Sequence, residues 1–422
     1  MRVWLLQRSE PTPHDQSGSQ RMMRTGIIAE TLAKQGHDVV WWTSTFDHFN
    51  HKHRYRQNIR REVSEHYQIQ YLYGFGYKKN ISLSRLLDNV KVAKQFALLA
   101  PSDSLQPDII FASIPTVELA LEAIIYAKRN KIPILLDIRD LWPDVFFDLF
   151  PSYFKPLIQV LTMPMRYRLN YVCKSSTGII GLTNGFLRWG LHHANRDKLD
   201  SDHVFPMAYL PQPVTESNIQ KGRNFWRELG ISKEEKSLLV VFFGTLGKTN
   251  NLIPVIDAFR ILQDRKAAVR AIICGDGDSM SMLKKRADNL SNLILPGWMS
   301  AGQIKALLEI ADVGIAPYIN SYNYVANIPN KPSEYLSGGL LISSSLNEGS
   351  LYQLIVDRGC GFSYRDNPQI LANKLEDLST DIETLNQMKE NARKTFSDLF
   401  DGNKVYGNLV NFMERLVAQS KV

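Results

Sequence analysis

Cysteine is nearly missing: Cys173, Cys274 and Cys360 are the only three in 422 residues, and they lie far apart. Such spacing excludes a disulfide framework and a zinc-binding pattern, and it suits a reducing compartment. Long apolar runs are also missing. Met1-Arg2-Val3-Trp4-Leu5-Leu6 turns polar at Gln7, too short for a signal-peptide core or a membrane span, and no later run reaches span length. Internal repeats and low-complexity segments are absent, which sets aside solenoid and disordered classes. Acidic residues are scarce in the first half: about 26 Lys/Arg face 18 Asp/Glu in residues 1–200, and the signs balance afterwards. The first half therefore carries the whole formal excess of +8, a field that draws phosphates, anionic lipid or nucleic acid.

What is present is ordinary globular composition, 44% hydrophobic and 22% charged, in a chain too long for one core. Two domains follow. Val3–Leu6 reads as a buried strand, a polar loop carries Ser17-Gly18-Ser19, and Met22–Lys34 has helical periodicity before the strand Val39–Trp42. Strand, glycine loop, helix and strand in that order predict a parallel sheet. Gly18 would let the backbone approach an anion at the helix start. His48, His51 and His53 lie close together, but nothing nearby completes a metal site, and the stretch to Arg61 reads as a solvated, mobile loop rather than a nucleic-acid arm.

The strands Asp108–Ala112 and Ile134–Ile138 flank a helix from Thr116 to Arg129. The second strand runs into Arg139-Asp140-Leu141-Trp142-Pro143-Asp144. Arg139 can neutralise a phosphate, and Asp140 can orient a sugar hydroxyl or take a proton. The plainer reading is an Arg–Asp pair that closes the loop. Tyr153–Lys174 is apolar and basic together, with Lys155, Arg166, Arg168 and Lys174 among leucines, methionines and tyrosines. It reads as a core helix, or as one lying on a membrane surface with its basic residues among headgroups.

Pro206, Pro211 and Pro213 crowd one stretch and mark the seam: residues 1–212, then 213–400, with a last helix at 401–422 that should pack back on the first domain. Beyond the seam, Leu238–Phe243 ends in Gly244-Thr245-Leu246-Gly247-Lys248-Thr249. The ending resembles a Walker loop, but that motif needs glycine where Phe242 stands. Open glycine backbone, the amino end of the helix Asn251–Gln263 and Lys248 can still hold a phosphate. Val269–Cys274 ends in Gly275-Asp276-Gly277-Asp278, a glycine turn more than a metal clamp. Val313–Pro317 precedes Ile328-Pro329-Asn330-Lys331-Pro332-Ser333-Glu334-Tyr335, a short helix opened by proline and closed by Gly338-Gly339. Its carboxylate, Glu334, can accept two hydrogen bonds from a ribose diol. Three glycine turns and Glu334 thus gather at carboxyl ends of strands, the edge where open α/β sheets bind ligands.

On these residues the sequence resembles the GT-B glycosyltransferases of family 4, a large retaining family. Within it, the likeness is to the branch that builds bacterial surface polysaccharides, O-antigen and capsule. It rests on Ser17-Gly18-Ser19 with Gly36-His37-Asp38-Val39, on Arg139-Asp140-Leu141-Trp142-Pro143-Asp144, on Leu210-Pro211-Gln212-Pro213-Val214, and then on Phe243–Lys248, Gly275-Asp276-Gly277, Ala311-Asp312-Val313 and Lys331–Tyr335, all in the family's order. The resemblance implies two doubly wound Rossmann-like domains facing a cleft. It implies a UDP- or GDP-linked sugar donor held mainly by the second domain through Gly244, Gly247, Lys248, Gly275, Asp276, Gly277, Lys331, Ser333 and Glu334. Glu334 would grip the ribose, Gly18 would lie by the diphosphate, and Asp140 or Arg139 would stand near the reacting carbon as the catalytic pair. It implies transfer with retention, without metal or other cofactor, to a polyprenyl-diphosphate-linked saccharide. The enzyme would be cytoplasmic, peripheral on the inner face of the plasma membrane, in contact with anionic lipid and not with nucleic acid. Three positions depart from the family pattern: Ala326 stands where a first glutamate is common, Lys248 alone replaces a basic pair, and Arg139 replaces a histidine. A nucleotide-sugar 2-epimerase of similar architecture and a non-catalytic basic-surface protein are the rival readings.

Overall fold

The computed structural model describes residues 1–421 except 16–21, 105, 149, 212 and 233–236. These residues form two compact units, Met1–Pro206 with Gly402–Val422, and Met207–Asp401.

The first unit is built on β1 (Arg2–Leu6), α1 (Arg24–Lys34), β2 (Asp38–Ser44), β3 (Ile59–Ser64), β4 (Tyr67–Leu72), α2 (Leu83–Leu99), β5 (Ile109–Ile114), α3 (Val117–Asn130), β6 (Ile134–Ile138), α4 (Lys155–Ser175), β7 (Gly178–Gly181), α5 (Asn184–Ala194) and β8 (His203–Val204). The sheet runs β8-β7-β6-β5-β1-β2-β4-β3. Every pairing is parallel except β3 against β4. The continuous apolar runs of β1, β5 and β6 are buried on both faces, as a parallel sheet covered by helices requires. The last helix of the chain packs on α1 and buries Leu409, Val410 and Met413.

The second unit alternates strand and helix: α6 (Glu216–Glu228), β9 (Leu238–Phe243), α7 (Ile253–Asp264), β10 (Val269–Cys274), α8 (Met280–Arg286), β11 (Leu293–Gly297), α9 (Ala301–Ile310), β12 (Val313–Ala316), α10 (Tyr322–Ala326), α11 (Asn330–Ser337), β13 (Leu341–Ser344), α12 (Gly349–Arg358), β14 (Gly361–Ser363), α13 (Pro368–Thr380) and α14 (Ile382–Thr395). The remaining helix, α15 (Gly402–Ser420), is the one that packs on α1. The sheet of the second unit is wholly parallel, in the order β11-β10-β9-β12-β13-β14. Counted from its first strand this is 3-2-1-4-5-6, the doubly wound order, whose direction of winding reverses between β9 and β12.

The strands expected at Ile134–Ile138, Leu238–Phe243 and Val269–Cys274 stand at those residues. The histidine stretch differs from expectation. Phe46–Asp47 pairs with Lys52–His53 as a short antiparallel ribbon, and His48 Nδ1 lies 2.6 Å from the Tyr77 hydroxyl. Aromatic packing of Phe46 on Tyr77 and His53 holds the ribbon, so His48 and His53 are half-buried in ring contacts, while His51 touches the same rings from an exposed position.

Candidate active site

In the second unit the crevice at the winding reversal is formed by the loops after β9 and β12. Both strands end in buried residues, Phe243 on β9 and Ala316 on β12, with buried Tyr318 just beyond, so the loops leave from a dry base. Gly244 has φ +148°, a conformation that favours glycine. A side chain there would also displace Lys331. A Cβ on Gly244 would stand 2.4 Å from Lys331 Cε and 2.9 Å from its Nζ. Lys331, in the first turn of α11, therefore folds back across the glycine loop.

The Lys331 ammonium lies 5.3 Å from the centroid of the Phe242 ring and 5.9 Å from that of Tyr318. Burial holds its pKa below the usual lysine range, while the Glu334 charge works in the other direction. No carboxylate forms an ion pair with Lys331 among the described residues. A cation partly withdrawn from water, beside two ring faces and without an ion pair, is stabilised by an incoming anion. The amino end of α11 adds to this, because Pro329 caps it without a side-chain hydrogen bond and the first-turn N–H groups lack helical partners.

Glu334, one turn along α11, is half-buried. Beside it Tyr335 is fully buried, and its hydroxyl donates to the Ile315 carbonyl at 3.0 Å, which pins α11 onto β12. Gly314 accommodates that ring, since a Cβ there would stand 2.3 Å from Tyr335 Cγ. Ser333 is buried and donates to the Asn330 carbonyl at 2.8 Å, so its hydroxyl serves the helix.

The glycine turns after β9 and β10 interlock. Gly244 N–H donates to the Cys274 carbonyl at 3.1 Å, and Leu246 N–H to the Asp276 carbonyl at 2.9 Å. A Cβ on Gly275 would collide with the Gly244 carbonyl at 1.8 Å, and one on Gly277 would meet the Leu246 carbonyl at 2.6 Å. These two glycines thus seat one loop on the other. Asp276 is exposed and accepts from the Gly277 N–H at 2.8 Å. No group of three or more metal-ligating side chains occurs among the described residues. Gly247 is half-buried; Lys248 is exposed on the far limb of the loop, with no ion pair among the described residues. Gly18 lies outside the described residues.

One residue of this edge escaped the sequence reading. Trp298, directly after β11, is 70% exposed. The preceding Gly297 carbonyl accepts from the Gly275 N–H at 2.7 Å, which ties the indole's strand end to the glycine turn. The available signal was an aromatic residue following a strand-ending glycine.

In the first unit, Arg139 and Asp140 follow β6, but their surroundings differ. The Arg139 guanidinium is ion-paired with both Asp137 and Glu10. Arg24 joins from α1, with Nε and Nη2 each 3.1 Å from an Asp137 oxygen and Nη1 donating to the Pro206 carbonyl at 2.8 Å. Burial alone would raise the Asp137 carboxyl; Arg24 and Arg139 overcome it and hold the pKa below the usual range. Arg139 Nη2 is buried without a hydrogen-bond partner. Asp140 has no ion pair among the described residues: its carboxylate accepts from the Leu141 N–H at 2.9 Å, and burial pushes its pKa up to about 6.

Residues 226–395 match the family model described as glycosyl transferases group 1. The whole chain is similar in structure to sucrose-phosphate synthase from Thermosynechococcus elongatus, at 13% identity, 99% of each chain covered and a TM-score of 0.72. It is similar to α,α-trehalose 6-phosphate synthase from Burkholderia multivorans, at 14% identity, 99% and 98% of the two chains covered and a TM-score of 0.68. It is also similar to Anabaena HepE in complex with UDP-glucose, at 15% identity, 98% and 100% covered and a TM-score of 0.61. The chain has the GT-B fold. No curated protein matches it by sequence. The stretch matched by the family model contains the whole candidate site of the second GT-B unit, from Gly244 through Lys331 to Glu334.

Proposed function

We propose that the protein is a retaining glycosyltransferase that takes its sugar from a nucleotide-linked donor, UDP- or GDP-bound, held by the second unit. The observation that carries this reading is Lys331: a half-buried cation without an ion pair among the described residues, laid over Gly244 at the winding reversal of a 3-2-1-4-5-6 sheet, with Glu334 one turn further on. In this reading Lys331 and the amino end of α11 meet the diphosphate, and Glu334 accepts from the ribose hydroxyls. As the bond to the sugar breaks, the diphosphate gains charge, and Lys331 stabilises it in a site where water is largely excluded. Lys248, exposed at the loop, contributes at longer range, and the reading assigns charge stabilisation to these groups instead of to a metal. Trp298 offers its ring face to the base. HepE, which is similar in fold, is known in complex with UDP and with UDP-glucose, so UDP-linked donors come first in the test.

Asp140 is the catalytic group of the first unit in this reading. Its carboxyl, raised to about 6, is poised to orient an acceptor hydroxyl or take its proton. Arg139 keeps its network with Asp137 and Glu10 and positions the loop. The acceptor is a polyprenyl-diphosphate-linked saccharide of bacterial surface-polysaccharide synthesis, met at the inner face of the plasma membrane.

Titration of the protein with UDP, GDP and their sugars, read as thermal stabilisation, tests the donor half. A nucleotide-sugar should raise the melting temperature in the wild type and not in Glu334→Ala. Equal stabilisation of both proteins would remove Glu334 from the site, and no response to any nucleoside diphosphate would overturn the reading.

A further inference from the structure

Arg85, in the first turn of α2, is a half-buried cation without a carboxylate partner among the described residues. Its guanidinium lies 5.1 Å from the centroid of the Trp142 ring and 5.7 Å from that of Tyr77. Nη1 donates to the Asn80 carbonyl at 2.7 Å, while Nε and Nη2 have no hydrogen-bond partner among the described residues. Those two nitrogens form one edge of the planar fork. A guanidinium packed on rings with that edge open suits a planar acceptor of two oxygens.

The nearby carboxylates are engaged elsewhere. Asp88 is ion-paired with Arg8 and accepts from the Gly76 N–H at 2.9 Å. Asp47 accepts from the Phe49 N–H at 2.8 Å and lies 3.7 Å from Arg54. Asp140 and Arg85 act on each other's charge without forming an ion pair. The nearby bases add no free charge either. Arg8 lies 5.5 Å from the Tyr77 ring and is neutralised by Asp88. His48, whose Nδ1 meets the Tyr77 hydroxyl at 2.6 Å, has its pKa pushed down to about 4 by burial and by Arg85, so its ring is neutral at ordinary pH. One positive charge is left uncompensated. A carboxylate brings one negative charge, and a phosphate monoester brings about 1.5 to 2.

The rings supply the remaining surface. Trp142 is half-buried, two residues beyond Asp140, and Phe146 packs edge-on against it at 4.7 Å. Aromatic faces with a few placed polar groups fit a ligand that has both C–H and hydroxyl surface, such as a sugar ring.

We propose that the acceptor sugar is an acidic one, of the uronic acid class, and that Arg85 selects it by taking both oxygens of its carboxylate while Trp142 and Tyr77 seat the ring beside Asp140. The inference rests on the acceptor role proposed for Asp140 and adds to it the chemical class of the saccharide. Arg85 is then the residue that sets acceptor specificity.

The test uses the full chain and needs neither donor nor turnover. Binding of methyl glucuronide, methyl glucoside, glucose 6-phosphate and acetate is measured by ligand-observed NMR. The wild type should bind the glucuronide about tenfold or more tightly than the glucoside, a comparison that requires no variant. Arg85→Gln should remove that preference and leave the weak binding of the glucoside as it was. Trp142→Ala should weaken both sugars alike. Equal affinity for glucuronide and glucoside in the wild type overturns the proposal, as does a preference that survives Arg85→Gln. Acetate bound as tightly as glucuronide shows a site for a simple anion and overturns the sugar, and so does unchanged binding in Trp142→Ala. Tighter binding of glucose 6-phosphate than of glucuronide overturns the carboxylate. If nucleotide titration fails while Arg85 still selects the glucuronide, the donor reading falls and this site stands. If nucleotides bind and the glucuronide has no advantage, the acidic acceptor falls alone.

Discussion

The side chain of Lys331 occupies the space that a side chain on Gly244 would need. Substituting Gly244→Ala therefore sets a methyl group against Lys331 Cε and forces a residue with a Cβ to φ +148°. The lysine must leave its place above the loop. Nucleotide-sugar affinity, by calorimetry, should fall about tenfold or more, with a stability loss of roughly 1–3 kcal/mol. A variant that binds as tightly as the wild type would show that the anion does not lie against this loop.

Lys331→Met removes the charge and keeps the length. A hydrogen bond to a charged group contributes roughly 1.5–3 kcal/mol, so the dissociation constant for a nucleoside diphosphate should rise about 10- to 100-fold. The pH dependence carries a sign. Burial lowers the Lys331 pKa, so the ammonium is lost at lower pH than an ordinary lysine would lose it. Affinity should decline on the alkaline side in the wild type and stay flat in Lys331→Arg.

Trp298→Ala should leave the melting temperature of the free protein nearly unchanged, because the ring is 70% exposed. Stacking on a base contributes about 1–3 kcal/mol by alanine substitution. Affinity for the nucleotide should drop accordingly, and affinity for inorganic diphosphate should not. Loss of both in parallel would place the base elsewhere.

Asp140 sets stability against activity. Its carboxyl titrates near 6 in the folded protein, above its ordinary value of 3.8. Between those values the folded state keeps a proton that the unfolded state has released. Stability therefore falls as pH rises through that window and stays lower above it. Asp140→Asn should restore roughly 2–3 kcal/mol at pH 7 and change little at pH 4, as thermal melts across pH would report. In the proposed reaction the same variant should lose turnover, and the wild-type rate should climb through about pH 6.

Arg24→Ala should destabilise the first unit by roughly 3–5 kcal/mol, since it strips Asp137 of a bidentate partner in the interior. Asp137 is held below the usual carboxylate range, so its share of stability is present at neutral pH and lost as acid protonates it. Chemical denaturation at neutral and acid pH should show the deficit narrowing as pH falls.

Much of the fold was legible because parallel strands buried on both faces are written as unbroken apolar runs. Leu238–Phe243 and Val269–Cys274 could be read to the residue. The strands β3 and β4 could not: Arg60, Arg61 and Glu62 face water on the antiparallel edge strand β3 and carry the polarity of a loop, and Gln68 and Gln70 interrupt the apolar run of β4. The helix α2 was hidden for a related reason, with Leu83 and Leu87 on its exposed side. Of the two lysines offered to the diphosphate, sequence position favoured Lys248, which directly follows the glycine loop. Lys331 comes to Gly244 only because β9 and β12 are neighbours in the sheet, a pairing across some seventy residues that local pattern does not encode. For α4 the sequence left core and surface open, since both of its faces are apolar; exposure separates them.

The chain enters the first unit, leaves it at residue 206 and returns only at residue 402. The returning helix carries Tyr406, whose ring lies 5.7 Å from the Arg24 guanidinium, and Lys421, whose ammonium sits 2.8 Å from Asp108. During synthesis the second unit can therefore be finished while the first still waits for its closing piece. The salt-bridged interior around Asp137 stays partly uncovered until the ribosome has delivered almost the entire polypeptide, and a nonsense codon that removes α15 would damage the half of the protein translated first.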